Sequence, residues 1–230
     1  MNPLLTIVIP VLNEARILPA RLEALQFVRS RNVELIVVDG GSTDDSLEIA
    51  RPLCDRMLKA PAGRAKQMNE GARHASSEWL LFLHADTRLE EEAFEALLEA
   101  LSDEPDWGWF DVRIEGKHPL LRLTAAMMNA RAGLTKVATG DQGLFIKKAL
   151  FDAVEGFPDM PLMEDVALSK VLRDIAKSTV VRTPLATAGR RWDQGGWFRT
   201  VLRMWGLRFA YWVGVGPHRL ADYYAHVRGR

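Results

Sequence analysis

The chain has 230 residues, 48% of them apolar, enough for one large domain with a proper core and too apolar for a disordered polymer. Its 30 basic and 30 acidic residues cancel and no nucleic-acid-binding module is legible, so no nucleic-acid partner is expected. A single cysteine, Cys54, excludes a disulfide framework and points to a reducing, cytoplasmic compartment.

The neutral balance hides an asymmetry. From Ser178 to Arg230 there are nine Arg against Asp193 and Asp222, a net of +7, so the rest carries −7. A basic, tryptophan-rich tail on an acidic body suggests that the tail meets something anionic. The first apolar stretch, Leu4 to Leu12, lacks a basic lead-in and contains Pro10, so it does not read as a secretory signal.

Thr6 to Val11 is short and β-branched, as a first buried strand should be. Asn13 and Glu14 follow its carboxyl end. Ala15 to Val28 spaces Ile17, Leu18, Leu22, Leu25 and Val28 at helical intervals. A second buried strand, Val33 to Val38, ends in Asp39-Gly40-Gly41-Ser42-Thr43-Asp44. Ser42 or Asp44 can cap the next helix, through about Leu53. Asp39 can accept hydrogen bonds from a ribose or base, or serve as a plain turn residue. The turn after the first strand is not glycine-rich, which argues against a dinucleotide fold and a P-loop. A brief strand is expected over Arg56 to Lys59, then a helix opened by Pro61-Ala62-Gly63. Gly63 and Arg64 stand at its N-terminus, a natural place for an anion, although a solvated basic face is the simpler reading.

Leu80-Leu81-Phe82-Leu83 reads as a buried strand of a parallel sheet that ends in His84-Ala85-Asp86. Ligands of such sheets bind at the carboxyl ends of the strands. Asp86 there suits Mn²⁺ or Mg²⁺, or else it caps the helix starting near Leu89.

The series Ile9-Pro10-Val11-Leu12-Asn13-Glu14, Val37-Val38-Asp39-Gly40-Gly41-Ser42-Thr43-Asp44, Gly63-Arg64 with Asn69 and Gly71, and Leu83-His84-Ala85-Asp86 resembles family 2 glycosyltransferases of the GT-A fold. The compact subgroup associated with arsenosugar biosynthesis is the one it looks most like, although no residue here identifies arsenic chemistry. The resemblance implies an α/β domain with a mainly parallel central sheet flanked by helices, over residues 1–190, and a C-terminal helical extension over 191–230 packed on it. It implies inverting transfer of a hexosyl group from a nucleotide-diphosphate-sugar donor to a hydroxyl acceptor, small or lipid-linked, with Mn²⁺ or Mg²⁺. It places Pro10, Asn13, Glu14, Asp39, Gly41 and Arg64 around the nucleotide and Asp86 at the metal. The family's metal motif usually reads Asp-x-Asp; here His84 stands first and either contacts a phosphate or ribose, or packs.

Leu89 to Leu101 repeats Glu and Ala around an apolar face. Trp107 to Glu115 alternates like a half-exposed strand, and Pro119 to Leu134 reads as a helix with Met127 and Met128 in the core. In Thr139-Gly140-Asp141-Gln142-Gly143, Asp141 and Gln142 are either a polar turn or, by the resemblance, contacts to the donor sugar and its diphosphate. Glu164 and Asp165 open the helix from Val166 to Ile175, as dipole-favoured acids or, by the resemblance, as the pair supplying the catalytic base, with Asp165 the match. After a short strand, Val180 to Thr183, Arg190 and Arg191 are candidates for the diphosphate.

Trp197 to Val213 fits a helix with Arg199 and Arg203 on one edge and Trp205, Phe209 and Trp212 on the other. Arg208 falls in the apolar face, which is costly unless it is paired or meets a phosphate. The helix either lies on a membrane surface, on the inner face, or packs on the domain or a second subunit as in a homodimer; scattered tryptophans favour packing. Two rival functions are a sugar-phosphate nucleotidyltransferase and a non-catalytic nucleotide-sugar-binding protein.

Overall fold

β1 (Leu5–Val11) and β2 (Val33–Asp39) are buried along their whole length, as apolar runs in the middle of a two-faced sheet must be. The computed structural model describes residues 3–189 and 196–228. Arg190 and Arg191 lie outside the described residues.

Between β1 and β2 the expected helix breaks in two, α1 (Leu18–Ala24) and α2 (Gln26–Arg29). The amides of Leu25 and Val28 bond three residues back, to Leu22 and Leu25, which tightens the chain there. α3 (Ser46–Ala50), β3 (Arg56–Lys59), α4 (Arg64–His74) and β4 (Trp79–Phe82) follow in the expected order. Then come β5 (Thr87–Arg88), α5 (Glu91–Ser102), β6 (Trp107–Glu115), α6 (Leu121–Thr135), β7 (Leu144–Lys147), α7 (Lys148–Ala153), α8 (Glu164–Ile175) and β8 (Ser178–Ala188). Two helices, α9 (Trp197–Trp212) and α10 (Pro217–Arg228), follow among the described residues.

The eight strands among the described residues form one sheet in the order β3-β2-β1-β4-β7-β6-β8-β5. It is mixed but, as expected, mainly parallel: β5 and β7 run against the other six strands. β3, β2, β1 and β4 run parallel, β7 is antiparallel to β4 and β6, β8 is parallel to β6, and β5 is antiparallel to β8. The reversal at β7 brings two strand ends together. Phe82 pairs with Leu144, so the turn before β7 lies beside the carboxyl end of β4.

Each face of the sheet carries its own core. Leu5, Ile7, Ile9 and Val11 face α1, α2 and α5. Val8, Ile36 and Val38 face α4, α7 and α8, which is the period-two alternation of a strand covered on both sides. β6 is more buried than a half-exposed strand: Trp107, Trp109 and Phe110 are all in the interior because β7 and β8 flank it. Met128 packs against the core, but Met127 is exposed.

A third cluster ties the C-terminal helices to the body. Leu207 of α9 and Leu220 of α10 are buried with Val137, Met163 and Val166. The Trp197 indole N–H donates to Thr124 Oγ1 at 2.8 Å, and its ring stacks on His118. The remaining tryptophans of α9 do not fill a core: Trp205 is 60% and Trp212 74% exposed.

Candidate active site

The carboxyl ends of β1, β2 and β4 and the amino end of β7 share one edge of the sheet. Every sequence-predicted site residue among the described residues lies on a segment that starts or ends there. Strands are spaced by about 4.8 Å, so Asp39, two strands from His84, is about 10 Å away across that edge.

The turns after β1 and β2 are locked to each other. Asn13 has a left-handed backbone, φ 56°. Its amide donates to Ser42 Oγ at 2.9 Å, and its side-chain Oδ1 accepts from the Thr43 amide at 2.8 Å. The Glu14 amide donates to Ser46 Oγ, and the Ala15 amide to Asp44 Oδ2. Asp44 Oδ1 also accepts from the amide of Ser46, the first residue of α3, as the sequence reading of Asp44 anticipated, while Asp45 at the N-cap position makes no side-chain cap bond. Asp39 is buried, and its carboxylate accepts from the amides of Gly41 and Ser42 at 2.9 and 3.1 Å. Gly41, at φ 95°, supplies the backbone that lets the turn curl onto that carboxylate. Asp39 therefore holds its own turn, with lone pairs to spare. Pro10 is buried within β1.

Gln67 of α4 braces these turns. Its side-chain Nε2 donates to the carbonyls of Val11 and Val38, both at 2.8 Å, so one buried amide ties the ends of β1 and β2 to the helix. The sequence offered no signal for this beyond a polar residue in an amphipathic helix.

The reading of Asp86 as an N-cap is overturned: α5 begins at Glu91 behind Glu90, and β5 intervenes. Asp86 instead joins His84 and Asp141. One ligand atom from each of the three lies within 4.8 Å of the others, a group that could hold a metal ion. His84 Nδ1 is 3.3 Å from Asp141 Oδ1. One imidazole nitrogen and two carboxylates form a donor set that fits Mn²⁺ better than Mg²⁺, which prefers oxygen alone. Gly140 makes the approach possible, because a Cβ there would overlap the His84 ring. Asp141 thus sits with the candidate metal ligands, while Gln142 does not face outward at all. Gln142 is buried, accepting from the Thr139 amide and Arg131 and donating to the Phe110 carbonyl, so it holds the turn from inside.

The same turn reaches α8. The Gly140 amide donates to Asp165 Oδ2 at 2.6 Å, and the Val166 amide to Asp165 Oδ1 at 2.7 Å. Asp165 is thereby one residue away from Asp141 across a hydrogen bond. Met163, the residue before the acid pair, is left-handed at φ 70°, an uncommon backbone for a methionine. Glu164 is 1% exposed, and its Oε1 pairs with Arg64 Nε at 2.9 Å. Burial pushes the Glu164 carboxyl up, and the Arg64 charge pulls it partly back. Burial alone would lower the Arg64 pKa, but Glu164, Asp165 and Asp141 outweigh it and hold the guanidinium more firmly charged. Arg64 therefore stands among the three acids, and Glu164 faces it rather than the opening.

α9 adds two groups the sequence did not assign. Arg208 and Tyr211 lie within electrostatic range of Asp165. Arg208, placed in the apolar face by periodicity, is half-buried there. Arg131 of α6 donates to the Val137 carbonyl and Gln142 Oε1, and burial with the nearby Arg208 charge brings its pKa down to about 10. Two partly desolvated cations flank the acids, an arrangement that draws an anion. A separate cavity lined by Pro3, Leu4, Asn32 and Ser76 lies at the opposite edge, by the amino ends of β1 and β2, far from these groups.

Comparison with known proteins gives the same frame. The family described as Glycosyl transferase family 2 matches residues 6–151. A PGL/p-HBAD biosynthesis glycosyltransferase of Mycobacterium bovis is 41% identical over 96 residues, which are 39% of this chain and 38% of that protein. A poly-beta-1,6-N-acetyl-D-glucosamine synthase of Staphylococcus aureus is 24% identical over 184 residues, 72% of this chain and 44% of that one. The chain thus spans less than half the length of these relatives. Among solved structures, S. aureus TarS residues 1–349 with UDP-GlcNAc superposes with a TM-score of 0.66 at 19% identity, covering 81% of this chain and 59% of that one. The mannosyltransferase PcManGT of Pyrobaculum calidifontis, with GDP-Man and Mn²⁺, gives 0.65 at 21% identity, covering 91% of this chain and 61% of that one. The fold is the GT-A-like α/β arrangement of these transferases, and with its turns, its acids and its matched residues the chain belongs to glycosyl transferase family 2.

Proposed function

We propose that this protein transfers a sugar, with inversion, from a nucleotide-diphosphate-sugar donor to a hydroxyl acceptor, and that Mn²⁺ is required. One observation carries the reading: the Gly140–Asp141 turn links Asp165 to the His84, Asp86 and Asp141 group by a single backbone hydrogen bond. His84, Asp86 and Asp141 would hold the metal, which as a Lewis acid would offset charge on the leaving diphosphate. TarS and PcManGT are described with UDP-GlcNAc and with GDP-Man and Mn²⁺, which supports the donor class and the metal.

Asp165 is the general base in this reading. Each of its oxygens accepts one backbone amide, which fixes the carboxylate and leaves each a lone pair for the acceptor's proton. Glu164 and Arg64 position it. Arg131 and Arg208 meet phosphate oxygens, as guanidinium forks do. The turns of Asn13, Glu14, Asp39 and Gly41 bind the nucleoside. The narrower likeness to the arsenosugar-associated subgroup adds no acceptor, because none of these residues carries arsenic-specific chemistry.

The test is donor turnover across a panel of nucleotide sugars with Mn²⁺. Wild type should release nucleoside diphosphate, Asp86→Asn should not, and Asp165→Asn should lose about 10²–10⁴-fold in transfer while keeping nucleotide affinity. Nucleotide binding with no metal-dependent turnover by wild type would overturn the proposal in favour of a binding module.

A further inference from the structure

We propose that α9 docks the protein on an anionic lipid surface through the face formed by Phe198, Leu202, Trp205, Phe209 and Trp212. These side chains are 66%, 56%, 60%, 64% and 74% exposed. At 3.6 residues per turn they fall within a sector of about 80°. The buried side of the helix carries Thr200 and Leu207 instead. The amphipathicity is thus inverted relative to a helix packed on its own domain: the aromatic stripe points away from the protein. Isolated exposed apolar residues are ordinary, but a continuous stripe of this kind marks an interaction surface.

Charge decides between a lipid surface and a second copy of the chain. Arg199 and Arg203 are exposed along one border of the stripe. No residue from Trp197 to Trp212 is acidic. Two copies of α9 laid face to face would bring guanidinium groups together with no carboxylate on either helix to offset them. A layer of anionic headgroups offsets them directly, and tryptophan and phenylalanine are the side chains that settle at the boundary between headgroups and acyl chains. No helix among the described residues is long and apolar enough to cross a membrane, so the contact is made in the plane of the surface.

The docking helix also packs beside the candidate active site: Leu207 is buried against Met163 and Val166, on either side of Glu164 and Asp165 in the chain, and Arg208 and Tyr211 lie within electrostatic range of Asp165. On the transfer reading above, and resting on it, a lipid-bound hydroxyl is the acceptor class this placement suits. Docking itself does not depend on turnover.

The experiment is co-sedimentation of the full chain with sucrose-loaded vesicles of phosphatidylcholine, with or without phosphatidylglycerol, at low and high salt. Wild type should sediment with the phosphatidylglycerol vesicles at low salt, less so with phosphatidylcholine alone, and less so at high salt. Trp205→Glu with Phe209→Glu should weaken partitioning about tenfold or more without lowering the melting temperature, because both side chains are already in water. Trp212→Ser, a milder change, should weaken it in the same direction. No sedimentation with anionic vesicles, or sedimentation indifferent to these variants, would overturn the proposal. So would a dimer in analytical ultracentrifugation that the same variants dissociate, which would give the face to a second copy. Donor turnover is read separately, so failure of docking and failure of the transfer reading are distinguishable.

Discussion

Replacing Arg64 with methionine tests the frame that holds the candidate base. Methionine keeps an unbranched chain but removes the guanidinium 2.9 Å from Glu164 Oε1. The Glu164 side chain is 2% exposed, and its Oε2 has no partner among the described residues. The variant leaves that carboxylate inside without a cation. Removing one partner of a buried pair costs about 3–5 kcal/mol. Arg64 itself is 40% exposed, so water screens part of the pair and the low end, about 3 kcal/mol, applies. In a domain of this size that is a drop of about 6–12 °C in melting temperature.

The loss has a pH sign. Burial holds the Glu164 pKa above its ordinary 4.5, and Arg64 opposes that rise. Without Arg64 the folded-state pKa climbs further. The folded variant then keeps a proton that the unfolded chain gives up above its ordinary pKa. Stability is therefore retained at low pH and lost as pH rises through the folded-state value. Urea unfolding at about pH 5 and about pH 8 reads this directly: the gap from wild type should be small at the first and full at the second. Arg64→Met combined with Glu164→Gln should remove most of the pH dependence. A gap equal at both pH values, or below about 1 kcal/mol at the higher one, would refute the reasoning.

Gly140→Ala should cost about 1–3 kcal/mol and displace the His84 ring, which melting temperature and Mn²⁺ affinity measure together. Gln67→Leu should cost about 1–3 kcal/mol in denaturant unfolding, because the Val38 carbonyl loses its side-chain donor while the Val11 carbonyl keeps the Gly40 amide. Leu207→Ala should cost about 2–4 kcal/mol and loosen α9 first, which hydrogen exchange of α9 amides against β1 amides would show.

The strand ends were legible because an apolar run that stops in a carboxylate marks both the edge of a sheet and a ligand position. That logic located Asp39, His84 and Asp86. It could not find the partnership of Asp141 with them. That partnership exists only because β7 enters antiparallel beside β4, and strand direction is not written in a four-residue apolar segment. Gln142 shows the converse: a polar residue between glycines looks like a surface turn, yet its own side chain is buried and its amide bonds Arg131, the Thr139 amide and the Phe110 carbonyl. Arg208 was recognisable as an anomaly in an apolar face, and its resolution, a place within electrostatic range of Asp165, needed the packing of α9. Periodicity grouped Trp205, Phe209 and Trp212 on one face but says nothing about what covers that face. The preference for a core was therefore reversed by the exposure of Trp205 and Trp212.

The candidate site stands or falls on the Asp141 carboxylate reaching from its turn to His84 and Asp86, beside Asp165. Titration of Mn²⁺ into the full chain with a nucleoside diphosphate, read by the electron paramagnetic resonance of free Mn²⁺, tests it most directly. Asp86→Asn and Asp141→Asn should each weaken Mn²⁺ binding by about tenfold or more, and Asp165→Asn should leave it unchanged. Wild-type Mn²⁺ affinity in Asp141→Asn would contradict the account.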